Sequence, residues 1–149
     1  MSKMKVFTGK LTSDSNATNQ DQIHLAGGDT NTCYRLHDLK LLATSESADI
    51  GPVVKIYKNK QSSVNETIDF TEANLLGAAI YRQDSGNQFP PQQTVLFDNE
   101  IFNQDIFITY KDNETASASV NYLLVLEEIT AKDSELAVVN YSAALLHGE

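Results

Sequence analysis

At 149 residues the chain is the size of one domain and long enough to bury about 70% of the surface its unfolded form exposes. Its 20 acidic and 11 basic residues give a formal net charge of −9, which excludes the Lys/Arg footprint that a nucleic-acid backbone demands. A single cysteine excludes an internal disulfide framework, no apolar run is long enough for a helical membrane span, and no apolar stretch of an export signal follows the start MSKMKVF.

In chain order, Lys5 to Leu11 is the first expected strand, with Gly9 as a bulge or a point of close approach. Ser13 to Gln22 is polar and reads as a loop or arm. Ile23 to Ala26 reads as a short strand ended by the turn signal Gly27-Gly28-Asp29. Cys33 to Ala43 follows as a longer strand. Leu36, Leu39 and Leu42 recur every third residue and would also suit a helix, but strand-like neighbours and the Thr-Ser-Glu-Ser loop after them favour extended chain.

After Gly51-Pro52, the segment Val53 to Lys58 alternates as a half-buried strand would. Gln61 to Glu66 is a polar turn region, Thr67 to Phe70 a short edge strand, and Gly77 to Arg82 a further strand, with Glu72 to Leu76 open to one helical turn. Pro90-Pro91 then sets an extended approach to the next segment.

Gln92 to Glu128 holds three apolar runs separated by Asp/Asn-rich breaks. Thr94 to Phe97 and Ile106 to Tyr110 are almost wholly β-branched or aromatic, types that suit a pleated, half-buried surface. Val120, Tyr122, Leu124 and Leu126 alternate with Asn121, Leu123, Val125 and Glu127 in the third run. About eight short strands with turn signals between them predict an all-β, antiparallel sandwich over residues 1–129. Residues 130–149 differ in kind. Asp133 or Ser134 offers an N-cap and Gly148 a stop, so this tail reads as a short helix or, alternatively, an extended arm that pairs with a neighbouring subunit.

No catalytic or metal-binding constellation emerges, and neither an enzyme nor a cofactor site is expected. Cys33 and His37 lack further ligands at metal spacing and read as a buried thiol and a surface imidazole. Asp14 to Asp21 has the oxygen density of a calcium loop but carries Asn19 where an EF-hand needs glycine and Leu25 where it needs the bidentate glutamate. Asp98, Glu100 and Asp105 read as turn chemistry. The acceptor patterns at Asn16, Asn65 and Asn113 read as chance in an Asn- and Thr-rich chain.

One signal survives. Leu41-Leu42 and Leu123 to Leu126 put large apolar side chains on both faces of strands that a two-layer sandwich covers on one side. Either the tail or a neighbouring subunit must cover the second face. The candidate interface residues are Leu123 and Val125 on the strand and Leu136, Val139 and Leu146 on the tail's apolar stripe.

The order of features resembles the small auxiliary virion proteins of tailed phages, especially marine ones, that decorate or cement a capsid. The resemblance runs through the strand Tyr34 to Leu42, a Thr/Ser loop and the strand Val53 to Tyr57. It continues from Thr94 to Asp98 through Ile101-Phe102 and Asp105 to Ile106–Thr109, and ends in Val120 to Glu127. It implies a β-sandwich or jelly roll, a homo-oligomer with a trimer favoured, the major capsid or another virion protein as partner, a place in the virion, and no catalytic residue, nucleic-acid contact or membrane. A carbohydrate-binding or adhesin-like sandwich is the alternative, using Tyr57, Tyr81 or Tyr110 and loop Asn/Asp side chains, though the lack of tryptophan weakens it.

Overall fold

The alternation of the last apolar run determines how the sheets stack. Val120, Tyr122, Leu124 and Leu126 are all buried, while the residues between them are half-buried or exposed. The computed structural model describes residues 3–12, 19–25, 32–45, 49–84, 92–112 and 119–130. They form eight strands: β1 (Lys3–Thr12), β2 (Gln20–Ile23), β3 (Thr32–Ala43), β4 (Pro52–Tyr57), β5 (Leu75–Arg82), β6 (Gln92–Phe97), β7 (Ile106–Asp112) and β8 (Ser119–Thr130).

The strands build two antiparallel sheets, β1-β8-β3 and β2-β7-β4-β5-β6, with the core between them. The pairing is nested, β1 with β8, β2 with β7 and β4 with β5, so the chain folds back on itself as one long hairpin wrapped into two layers. That nesting is the pattern of a jelly roll. β3 and β6, the remaining nested pair, are joined not by a ladder but by the side chain of Gln93, which bonds Leu41 N and Leu39 O.

β3 explains the leucine spacing that also suited a helix. Its register against β8 shifts between Leu36 and Asp38, so His37 is an extra residue that resets the alternation. Leu36, Leu39 and Leu41 are therefore all buried, whereas Leu42 is exposed. Cys33 is buried and His37 exposed, as expected.

Gly9 is a point of close approach and not a bulge, because the β1–β8 ladder passes through it unbroken. A Cβ there would lie 2.7 Å from the Tyr122 ring, which lies across the glycine and hydrogen-bonds through its hydroxyl to Asp21 of the other sheet. Burial raises the pKa of Asp21, and the Tyr122 bond opposes that shift.

Three expectations need correction. The second strand is Gln20–Ile23, not Ile23 to Ala26, because Asp21 finds a partner in Tyr122 and the Asp105 carboxylate takes the Leu25 amide at 2.7 Å. Thr67 to Phe70 is irregular. The Asn65 side chain accepts from Thr67 N and Asp69 accepts from Thr71 N and Oγ1, local bonds that compete with a ladder. Leu75 and Leu76 belong to β5, and a turn at residues 70–74 replaces the helical alternative for Glu72 to Leu76. The tail reading, with Leu136, Val139 and Leu146, lies outside the described residues.

Candidate interaction surface

The two sheets present opposite outer faces. On the five-stranded sheet the outward residues Lys55, Tyr57, Leu75, Ala78, Phe107 and Thr109 are buried, whereas Val53 and Lys111 are half-buried and, towards β6, Ile80 and Leu96 are 46% and 60% exposed. The β4–β5 connection, residues 58–74, accounts for this. Its ends are tied by Lys58 N donating to Asn74 O at 2.9 Å. Its middle is tied by Lys55, whose ammonium donates to Asn65 Oδ1 at 2.9 Å and Thr67 O at 2.7 Å and lies 5.4 Å from the Tyr57 ring centre. The connection is thus an Ω-like cover strapped over the sheet.

Lys55 is only 2% exposed. Burial lowers its pKa, and the nearby charges of Glu72 and Glu66 oppose that shift. Burial, with Glu72 beside it, pushes the Tyr57 phenol up to about 12, so it stays neutral. The half-buried strand expected for Val53 to Lys58 is therefore buried on both faces. Its signal in the sequence was the long irregular connection that follows it.

The outer face of the three-stranded sheet is different. Along β8, Leu123 and Val125 point outward and are half-buried between two flanking rows. On β1, Val6 stands opposite Val125, Thr8 opposite Leu123 and Met4 opposite Glu127. On β3, Lys40 stands opposite Leu123, Asp38 opposite Val125 and Leu42 opposite Asn121. Met4, Val6 and Leu42 are 49%, 57% and 65% exposed. The result is an open apolar strip through Met4, Val6, Val125 and Leu123, with Leu42 at its end. The ion pairs Arg35–Glu127 at 2.9 Å and Lys40–Asp38 at 3.8 Å form its polar rim. Sequence reasoning located Leu123 and Val125 but missed Met4 and Val6, which join the strip only through the β1–β8 register.

Other candidates take structural places. Tyr57, Tyr81 and Tyr110 are all buried, so none offers a platform to a sugar ring. Asp105 accepts from Leu25 N and from Gln22 Nε2, both at 2.7 Å, and lies 3.5 Å from His24, while Glu100 pairs with Lys58. These carboxylates therefore tie separate segments together, where the sequence suggested local turn chemistry. Among the described residues no group of three or more His, Cys, Asp or Glu gathers as a metal site would require. No protein-family model matches the sequence, and no curated protein matches it.

Proposed function

We propose that this chain is a non-catalytic structural protein of a virion, a jelly-roll-like sandwich that self-associates and fastens to the major capsid or another virion protein. The observation that carries the reading is the open apolar strip through Met4, Val6, Leu123 and Val125, on a molecule that straps its own chain over the middle of its other sheet and leaves only Ile80 and Leu96 as exposed large apolar side chains on β5 and β6. Solvent-facing sheets normally alternate to polar residues, and a contiguous apolar strip with a charged rim is the composition of a contact surface.

Two further considerations support it. Jelly rolls recur in capsid proteins, although the same fold serves lectins and cupins, so the fold is support by analogy only. The likeness to phage decoration proteins supplies the trimer and the capsid partner. The tail, with Leu136, Val139 and Leu146, continues directly from β8, the central strand of the open sheet, and adds apolar sequence to the same end of the chain. A specific interface needs roughly 800 Å² per partner, more than a strip of five side chains supplies, so the contact must extend beyond the strip.

Size-exclusion chromatography with light scattering tests the assembly, and a stable monomer at micromolar concentration would overturn it. Cryo-electron microscopy of particles with and without the protein tests the location. For the saccharide reading, Tyr57, Tyr81 and Tyr110 are all buried, which leaves it less support than the structural one.

A further inference from the structure

The two edges of the three-stranded sheet are treated unequally. On β3 the main chain is occupied. Tyr34 and Phe102 exchange N–H···O bonds at 2.7 and 2.9 Å, and Gln93 bonds Leu41 N at 2.8 Å and Leu39 O at 3.0 Å. On β1, β8 is the only strand bonded among the described residues, and Lys3 to Lys10 are all exposed or half-buried. The β1–β8 ladder runs without a register shift, so the side of β1 that no described strand pairs with is a straight row of main-chain N–H and C=O groups. Such an edge is a template for one more strand.

The composition of β1 says what kind of strand. It reads KMKVFTGKLT, with three lysines and no carboxylate, in a chain of net charge −9. Lys5 lies 3.7 Å from Glu128, but Lys3 and Lys10 have no ion pair among the described residues. Lysines on an edge repel copies of that edge. A second β1 paired to the first would put six lysines and no carboxylate on one two-stranded ribbon. An acidic strand meets attraction at the same positions. The faces also alternate, with Lys3 and Lys5 on one side and Met4, Val6 and, further along, Lys10 on the other. A matching strand would set carboxylates beside Lys3 and Lys5 and apolar side chains beside Met4 and Val6.

We propose that the free edge of β1, from Lys3 to Lys10, accepts an extended acidic segment of a partner protein as a fourth strand of the three-stranded sheet. The lysines select the sign of the partner, and the main chain sets its register. Any partner with an extended segment alternating carboxylates and apolar residues fits the edge, whether or not the chain belongs to a virion. A monomer in the light-scattering experiment would leave this proposal standing.

The test uses the full chain and a fluorescein-labelled ten-residue peptide of alternating Glu and Val, followed by fluorescence anisotropy and by hydrogen exchange. Saturable, salt-sensitive binding that slows exchange in β1 and not in β2 or β6, the edge strands of the five-stranded sheet, is the expected result. Lys3→Glu should weaken binding at least fivefold, since Lys3 lies on the face that meets the peptide's carboxylates, its side chain is exposed and the fold does not depend on it. A central proline in the peptide should abolish binding, because it removes a ladder bond. The proposal is overturned by no binding at millimolar peptide, by retained binding of the proline peptide, or by equal binding of a Lys/Val peptide or a single-stranded oligonucleotide. Protection of β1 that rises with protein concentration alone would also overturn it, assigning the edge to a second copy.

Discussion

Gln93 and Leu41 form a join between the sheets: Gln93 Oε1 accepts the Leu41 amide at 2.8 Å while its Nε2 donates to Leu39 O at 3.0 Å. β6 is bonded through its main chain to β5, and β3 to β8, so the carboxamide stands in for a strand that neither sheet supplies. Gln93→Ala should cost about 1–2 kcal/mol in urea unfolding, the usual loss for a pair of partly exposed hydrogen bonds. Hydrogen exchange should locate the effect, with the Leu41 amide losing protection and the amides of β7 keeping theirs.

Lys55 holds residues 58–74 over the five-stranded sheet by two donated bonds. Lys55→Met keeps the length and apolar stem of the side chain but removes the charge and its bonds. Losing a buried charge relieves its desolvation cost, so global stability should change by no more than about 2 kcal/mol. Exchange across residues 61–72 should accelerate at least tenfold, because that connection has no ladder of its own. An unchanged exchange pattern would mean that the cover is held by its apolar contacts alone.

How far the sequence reveals this fold depends on whether the signal is local. Val120 to Glu127 and Ile106 to Tyr110 were legible because alternation and β-branching act within one strand. β2 was misplaced because one of its two inward residues is Asp21, whose partner Tyr122 is distant in the chain. Lys55 looked like the solvent side of a half-buried strand, since nothing near it says that Asn65 folds back over it. The apolar strip was half legible for the same reason. Leu123 and Val125 stand out in their own run, but Met4 and Val6 join them through pairing across more than a hundred residues.

Gly9 leaves room for the Tyr122 ring, with ring atoms at 2.7 Å from the position a Cβ would take. Gly9→Ala should cost about 1–3 kcal/mol in thermal or denaturant unfolding, as overpacking at a closely packed site does. The ring must move, and its bond to Asp21 must weaken with it. Tyr122→Leu should absorb part of the penalty, so the double variant should be more stable than the sum of the single losses implies.

Asp21 carries a pKa raised above its ordinary value of 3.8 by burial between the sheets, with the Tyr122 hydroxyl opposing the shift. The folded state therefore binds a proton more readily than the unfolded state. Its ionised carboxylate is a burden on folding above the folded pKa, and the burden disappears as the pH falls below 3.8. Asp21→Asn keeps an acceptor for the Tyr122 hydroxyl without the charge. It should raise the melting temperature at pH 7, and the gain over the wild type should shrink steadily as the pH approaches 4. A gain that grows on acidification would contradict the placement of Asp21.

The open strip can be tested without disturbing the core. Leu42 is exposed, and Leu123 stands half-buried between Thr8 and Lys40, so a glutamate at 123 has a cation opposite it. Leu42→Glu with Leu123→Glu should therefore cost the monomer about 1–2 kcal/mol, well short of a core substitution. Across an interface the same pair would bury two carboxylates against apolar surface, which costs far more than it costs in water. If the strip carries self-association, sedimentation velocity should show the variant as a folded monomer under conditions where the wild type is oligomeric. An oligomer of unchanged size in the variant would move the contact to another surface, and the assembly would then have to run through the β1 edge or the tail. A Val6→Thr substitution separates those cases. It trims the strip beside Val125 while leaving the main chain of β1 able to pair, so it weakens association through the face and spares association through the edge.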